Sequence, residues 1–92
     1  MESIIQLRKR IDAIDEQILQ LLSERVDVCR LIGALKRRQN MPVKDVPREN
    51  DVYSRIKRKA AELGLDAEQV EVIYRQIVNM CSLVQEMEER LE

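Results

Sequence analysis

Arg25 is the residue whose type fits its place least well. With Ile4 taken as heptad position a, the a positions hold Ile4, Ile11, Ile18, Arg25 and Ile32, and the d positions hold Leu7, Ile14, Leu21, Val28 and Leu35. Nine of the ten are aliphatic, the pattern of a helix that packs along one seam. A guanidinium in that seam is costly unless it is paired and hydrogen-bonded. An internal ion pair with a glutamate on a neighbouring helix, an outward-snorkelling side chain, or a bound anion would each satisfy it. Arg8 and Lys36 occupy e positions beside the same seam. Arg25 and Lys36 are eleven residues apart, about 16 Å along a helix axis, so two long side chains leaning together span one small anion. Arg8 precedes Arg25 by seventeen residues, about 25 Å. A straight helix cannot bring it to that anion; an antiparallel partner helix can.

Two further groups stand out. Tyr74, Val78, Cys81 and Gln85 form a row at i, i+4, i+7 and i+11 that ends in an uncharged amide. Gln85 reads either as a half-exposed surface amide or as a donor to a ligand. Cys81 reads as a small core residue, with no histidine in the chain to make it a nucleophile. Asp45, Arg48 and Glu49 crowd three charges into one turn. Capping and complementation of the helix dipole account for the two acids, while Arg48 is unfavourable at that end. The runs Lys36-Arg37-Arg38 and Lys57-Arg58-Lys59 read as solvated helix faces.

These residues need helices to position them, and the sequence supplies three. The first is expected over residues 3–39, with Ser3 as N-cap and Gln6 completing a capping box. Gly33 is its one weak helix former, and Pro42 lies beyond its end. A loop over 40–46 follows. The second helix is expected over 47–63, with Asp45 as N-cap, Pro47 in the first turn, a stripe of Val52, Ile56, Ala60 and Leu63, and Gly64 at C′. The third is expected over 66–91, capped by Asp66 with Gln69, along a stripe of Val70, Ile73, Ile77, Met80, Val84, Met87 and Leu91. Residues 1–92 thus read as one all-α domain of a long, a short and a medium helix.

A first helix of that length spans about 55 Å, whereas a compact chain of 92 residues is only about 30 Å across. The helix must overhang its own monomer, bend at Gly33, or fray. An apolar seam along its whole length favours the overhang, and with it a second copy of the chain.

Composition narrows the function. Sixteen Lys+Arg against seventeen Asp+Glu give a net charge of −1, too balanced for bulk attraction to nucleic acid or an anionic membrane. Two Gly, two Pro and two aromatic residues leave little room for a many-stranded β fold. Without histidine, a zinc or haem site lacks ligands. The two cysteines are 52 positions apart and away from any turn. With no long apolar run near the N-terminus, the chain is expected in the cytoplasm with both thiols reduced.

The pattern resembles a known family. Residues Leu7 to Asp15 (LRKRIDAID) look like the opening of the all-helical class of chorismate mutases. Leu22-Ser23-Glu24-Arg25 follows at the family's distance, then Lys36, then Pro42 to Glu49 (PVKDVPRE), and finally Cys81 and Gln85. Arg8, Arg25, Lys36, Asp45, Arg48, Glu49 and Gln85 fall in register without a gap. One departure is Cys81, at a position that is often serine or another hydrogen-bonding residue in relatives.

The resemblance implies an intertwined, domain-swapped homodimer of three-helix chains that rearranges chorismate to prephenate on the way to phenylalanine and tyrosine, with no metal or organic cofactor. On that reading Arg25, Arg48 and Arg8 of the other chain bind the two carboxylates, because a guanidinium fork takes them bidentately. Lys36 and Gln85 donate to the ether oxygen, Glu49 accepts from the ring hydroxyl, Asp45 positions that end, and Cys81 is an auxiliary contact. An amide at position 85 predicts activity that is not confined to acid. Two rivals remain: an isochorismate pyruvate-lyase on the same scaffold, and a non-catalytic helical dimerisation module. The Asp45–Glu49 cluster resembles the mutase hydroxyl-binding pattern and favours the mutase.

Overall fold

The computed structural model describes residues 1 and 3–90, with the side chains of residues 89 and 90 left aside. Three helices form in the order α1 (Ile4–Arg38), α2 (Val46–Glu62) and α3 (Ala67–Arg90), and the described residues contain no strand. Leu91, the last residue of the expected third stripe, lies outside the described residues.

Local chemistry sets each boundary. At the start of α1 the Gln6 amide N–H donates to Ser3 Oγ at 3.1 Å and the Ser3 N–H donates to Gln6 Oε1 at 2.8 Å, a complete capping box. The helix ends where Asn40 turns left-handed, φ 55°. The Met41 N–H then donates back to the Lys36 carbonyl at 2.8 Å, a Schellman closure. Asp45 caps α2 by accepting from the Arg48 N–H at 3.0 Å. That helix closes at Gly64, φ 76°, with the Leu65 N–H on the Ala60 carbonyl at 2.9 Å. Asp66 accepts from the Gln69 N–H at 3.0 Å to start α3.

The third helix is the centre of the fold, packed on α1 along one side and on α2 along another. Cys29 faces Cys81, Gly33 faces Gln85, and Arg37 donates to the Glu88 carbonyl. Rising numbers on α1 meet rising numbers on α3, so the two run parallel. In contrast, Tyr53 packs near Val78 and Lys57 bonds Glu71 at 2.9 Å, so α2 runs antiparallel to α3. Glu71 also takes Arg75 at 2.8 Å, and the Arg75 guanidinium lies 4.3 Å from the Tyr53 ring centroid. Hydrogen bonds from Lys57 and then Arg75 hold the Glu71 carboxyl below its usual range. Its contribution is therefore present at neutral pH and lost as pH falls through that lowered value.

The buried apolar set is small: Cys29, Val52, Tyr53, Ala60 and Val78. The nine aliphatic residues of the α1 seam remain 39–67 % exposed within the single chain. The α1 helix is unbroken through Gly33, and its 35 residues make a rod of about 52 Å. The chain is 57 Å long with a radius of gyration of 16.6 Å, against about 12 Å for a compact chain of this size. The overhang is present, and neither a bend nor a frayed end shortens it.

Two expectations need correction. The expected third-helix stripe is only partly covered: Val70, Ile77 and Val84 are half-buried and Ile73, Met80 and Met87 are exposed, while the buried residues of α3 are Val78 and Gln85. The face used within the chain centres on the Tyr74–Gln85 row, with Cys81 and Gln85 turned to α1 and Val78 to α2; similarly Tyr53, outside the expected α2 stripe, is buried and Leu63 is not. The thiols were expected to be reduced, yet Cys29 and Cys81 are joined in a disulfide, with Cα atoms 5.5 Å apart. Distance from turns does not matter when parallel helices bring the two residues face to face. Closing a loop over a separation of 52 residues removes chain entropy equivalent to about 4 kcal/mol. Reduction is accordingly expected to lower the melting temperature of the purified protein by well over 10 °C. Alkylation of the unreduced, denatured chain should leave both cysteines unmodified by mass spectrometry, and two alkylated thiols would contradict the bond.

Candidate functional site

One cavity of about 450 Å³ opens between α1, the N-terminal turn of α2 and α3. Its walls are apolar, formed by Val28 and Ile32 of α1, Val43 of the loop, Val52 of α2 and Val78 of α3. The polar groups set into them are Arg25, Lys36, Asp45, Arg48, Glu49, Cys81 and Gln85. Seven of the eight site residues expected from the sequence therefore meet in one hollow. Arg8 does not: it stands exposed on the overhanging part of α1.

Lys36 is held from two sides. Its ammonium donates to the Val43 carbonyl at 2.8 Å and to Gln85 Oε1 at 3.0 Å. An ammonium has three donors, so one is unspent. Gln85 is 5 % exposed. Its Oε1 is taken by Lys36, and its Nε2 donates to Cys81 Sγ at 3.2 Å, which leaves one amide N–H. The Cys81 sulfur, bonded to Cys29, can only accept, so it orients the amide with its NH2 end toward α3's own preceding turn. Cys81 thus touches the cavity and also steers Gln85.

Arg25 is half-buried, and the contact its guanidinium makes is NH1 to Cys29 Sγ at 3.9 Å. Among the described residues, neither Arg25 nor Lys36 has a carboxylate within ion-pair distance. Both cations in this apolar hollow are held by neutral groups alone. An internal ion pair, one of the ways of satisfying Arg25, is absent from the described chain.

The α2 end is wetter. Arg48 pairs with Asp51 at 3.1 Å, with both side chains more than half exposed. Such a pair is worth little, so the guanidinium is available to a stronger anion in the cavity. Glu49 is the more covered acid, with Lys44 3.6 Å away at its rim. Asp45 spends one oxygen on the α2 cap. The group that sequence reading missed is the Val43 carbonyl: it lies in the loop, and no side-chain pattern signals where a backbone oxygen will point.

Comparison with known proteins places this geometry in a family. Residues 7–86 match the family described as chorismate mutase type II. The chain is 39 % identical over 84 residues to the bifunctional chorismate mutase/prephenate dehydratase of Aquifex aeolicus (strain VF5), covering 88 % of this chain and 23 % of that protein. It is 33 % identical over 66 residues to the chorismate mutase of Methanocaldococcus jannaschii, covering 72 % of this chain and 67 % of that one. It is 31 % identical over 83 residues to the bifunctional chorismate mutase/prephenate dehydratase of Escherichia coli (strain K12), covering 90 % of this chain and 22 % of that protein. The chain therefore spans less than a quarter of the bifunctional relatives it matches. With the match running across all three helices and every wall of the cavity, the chain belongs to the chorismate mutase type II family.

Proposed function

We propose that this chain is an isomerase that converts chorismate to prephenate, a step of aromatic amino acid biosynthesis, and that it does so as an intertwined homodimer with two equivalent sites. The observation that carries the reading is the pair of cations, Arg25 and Lys36, in an apolar-walled cavity with no carboxylate partner among the described residues. The stretch shared with the Methanocaldococcus jannaschii relative, which is named for the mutase activity alone, supports the mutase rather than the dehydratase of the bifunctional proteins.

The charge fits the substrate. Arg25, Lys36 and Arg48 against Asp45 and Glu49 leave one positive charge in the cavity. Arg8 of a second copy raises this to two, the complement of a dicarboxylate. The exposed seam and overhanging α1 supply the reason for a second copy: a swapped arrangement covers the apolar face and carries Arg8 to the other chain's site.

The chemistry asks for little else. A C–O ether bond breaks as a C–C bond forms within one molecule, so no proton, electron or external group is transferred. The protein's work is to hold the chair-like conformer and to stabilise negative charge on the departing ether oxygen. Arg25, Arg48 and the second copy's Arg8 bind the carboxylates. The unspent donors of Lys36 and Gln85 meet the ether oxygen, Lys36 with the larger share because it is charged. Glu49 accepts from the ring hydroxyl, with Asp45 fixing the turn that presents it. This route uses no metal or organic cofactor, and since an amide does not titrate, the rate is not confined to acid. Residues 1–92 act as a single mutase domain. The cytoplasmic location belongs to the same proposal; a persistent Cys29–Cys81 bond there is the situation of intracellular proteins in hyperthermophiles.

Purified protein is expected to remove chorismate's ultraviolet absorbance with prephenate as product. Salicylate plus pyruvate from isochorismate would identify a lyase instead, and inertness toward both would overturn the enzyme reading. Lys36→Met should lower kcat by about 10²- to 10³-fold, the cost of one oxyanion donor, while keeping the helical circular dichroism of the parent. Arg8→Ala and Arg25→Ala homodimers should each be nearly inactive, and subunit exchange between them should rebuild one complete site per mixed dimer. Proven exchange without recovered activity would refute the cross-chain role of Arg8.

A further inference from the structure

Gly33 is buried in the C-terminal part of α1, where glycine weakens a helix and no left-handed backbone requires it. What requires it is proximity. A methyl group at this position would stand 2.9 Å from Gln85 Cα and 3.2 Å from both Gln85 Cβ and Cγ. The nearest atom is α3 backbone, which cannot swing aside as a side-chain tip can. Nor can the helices part freely there. One turn before, Cys29 and Cys81 join α1 to α3, and one turn after, Arg37 is bonded to the Glu88 carbonyl. Lys36 lies three residues beyond Gly33, on the same side of the helix. The close approach at Gly33 is thus the geometric source of the 3.0 Å contact between the Lys36 ammonium and the Gln85 amide.

We propose that Gly33 is a positioning residue for the Lys36–Gln85 pair: its missing side chain sets the α1–α3 separation at which both leftover donors reach one oxygen. This rests on the mutase reading for its catalytic consequence, though not for its geometry. A methyl at position 33 displaces Gln85 while leaving the carboxylate-binding arginines in place. The effect therefore falls on turnover more than on substrate binding.

The test compares Gly33→Ala with Ala60→Val, which overpacks a buried site on α2 away from the cavity. Gly33→Ala is expected to keep its helical circular dichroism, to lower kcat on chorismate by at least tenfold with KM within about twofold, and to shift the Gln85 side-chain amide signals in ¹H–¹⁵N spectra, assigned by their loss in Gln85→Leu. Ala60→Val is expected to melt lower with kcat unchanged. A Gly33→Ala protein with parental kcat, one whose Gln85 amide signals do not move, or one that fails to fold would overturn the positioning role. A parent protein inert toward chorismate would bring down the mutase reading alone, and the Gln85 amide signals would still decide the role of Gly33.

Discussion

The structure depends on a charge that it leaves uncompensated. Lys36 is fixed between the Val43 carbonyl and the Gln85 amide oxygen, and among the described residues Arg25 hydrogen-bonds to the Cys29 sulfur and to no carboxylate, inside a hollow walled by valine and isoleucine. Partly desolvated cations with neutral partners are a standing cost to folding. On the proposed reading, a dicarboxylate that enters relieves that cost, which would make the site selective before any chemistry begins. The same arrangement would serve the proposed rearrangement, because the donors are already in position when charge develops on the ether oxygen.

Holding those cations apart from any acid requires a stiff frame, and α3 provides it. Parallel to α1 and antiparallel to α2, it carries Cys81 and Gln85 on the face turned to α1, and Val78 and Glu71 on the sides that meet α2. The disulfide, the glycine contact and the Arg37–Glu88 bond fasten α1 to α3 over three successive turns. The remaining apolar surface is too large for one chain to cover: the seam from Ile4 to Leu35 stays exposed, as do Ile73, Met80 and Met87. A small buried set and a large uncovered one are what the proposed dimer requires of a chain that supplies half of a two-chain core.

Much of this was legible in the sequence, for reasons that are local. Ser3, Asp45, Asp66 and Gly64 announce helix ends through bonds that reach three to five residues, so these four ends could be read to within a residue or two. That Arg25 and Lys36 could reach one anion was readable because a fixed helical rise turns spacing into distance, whereas the joining of Asp45, Arg48, Glu49, Cys81 and Gln85 to them was implied by the family resemblance. Register between helices was not readable. Periodicity names an apolar face on each rod but not the residue opposite, so the Cys29–Cys81 bond went unseen. Nor does it say which chain covers a face: the stripe through Ile73, Met80 and Met87 is as periodic as the Tyr74–Gln85 row, yet the latter packs within the chain. Gly33 registered only as a weak helix former, since its contact lies 52 residues away in sequence.

Calorimetric titration with a stable bicyclic ether dicarboxylate shaped like the chair transition state tests the unpaired cations most directly, because it reads binding without turnover. The account predicts one molecule bound per chain, an affinity that falls as salt rises, and binding at least about tenfold weaker in Arg25→Ala, the loss of one charge-assisted contact. No heat of binding to the parent protein, or equal affinity in Arg25→Ala, would contradict it.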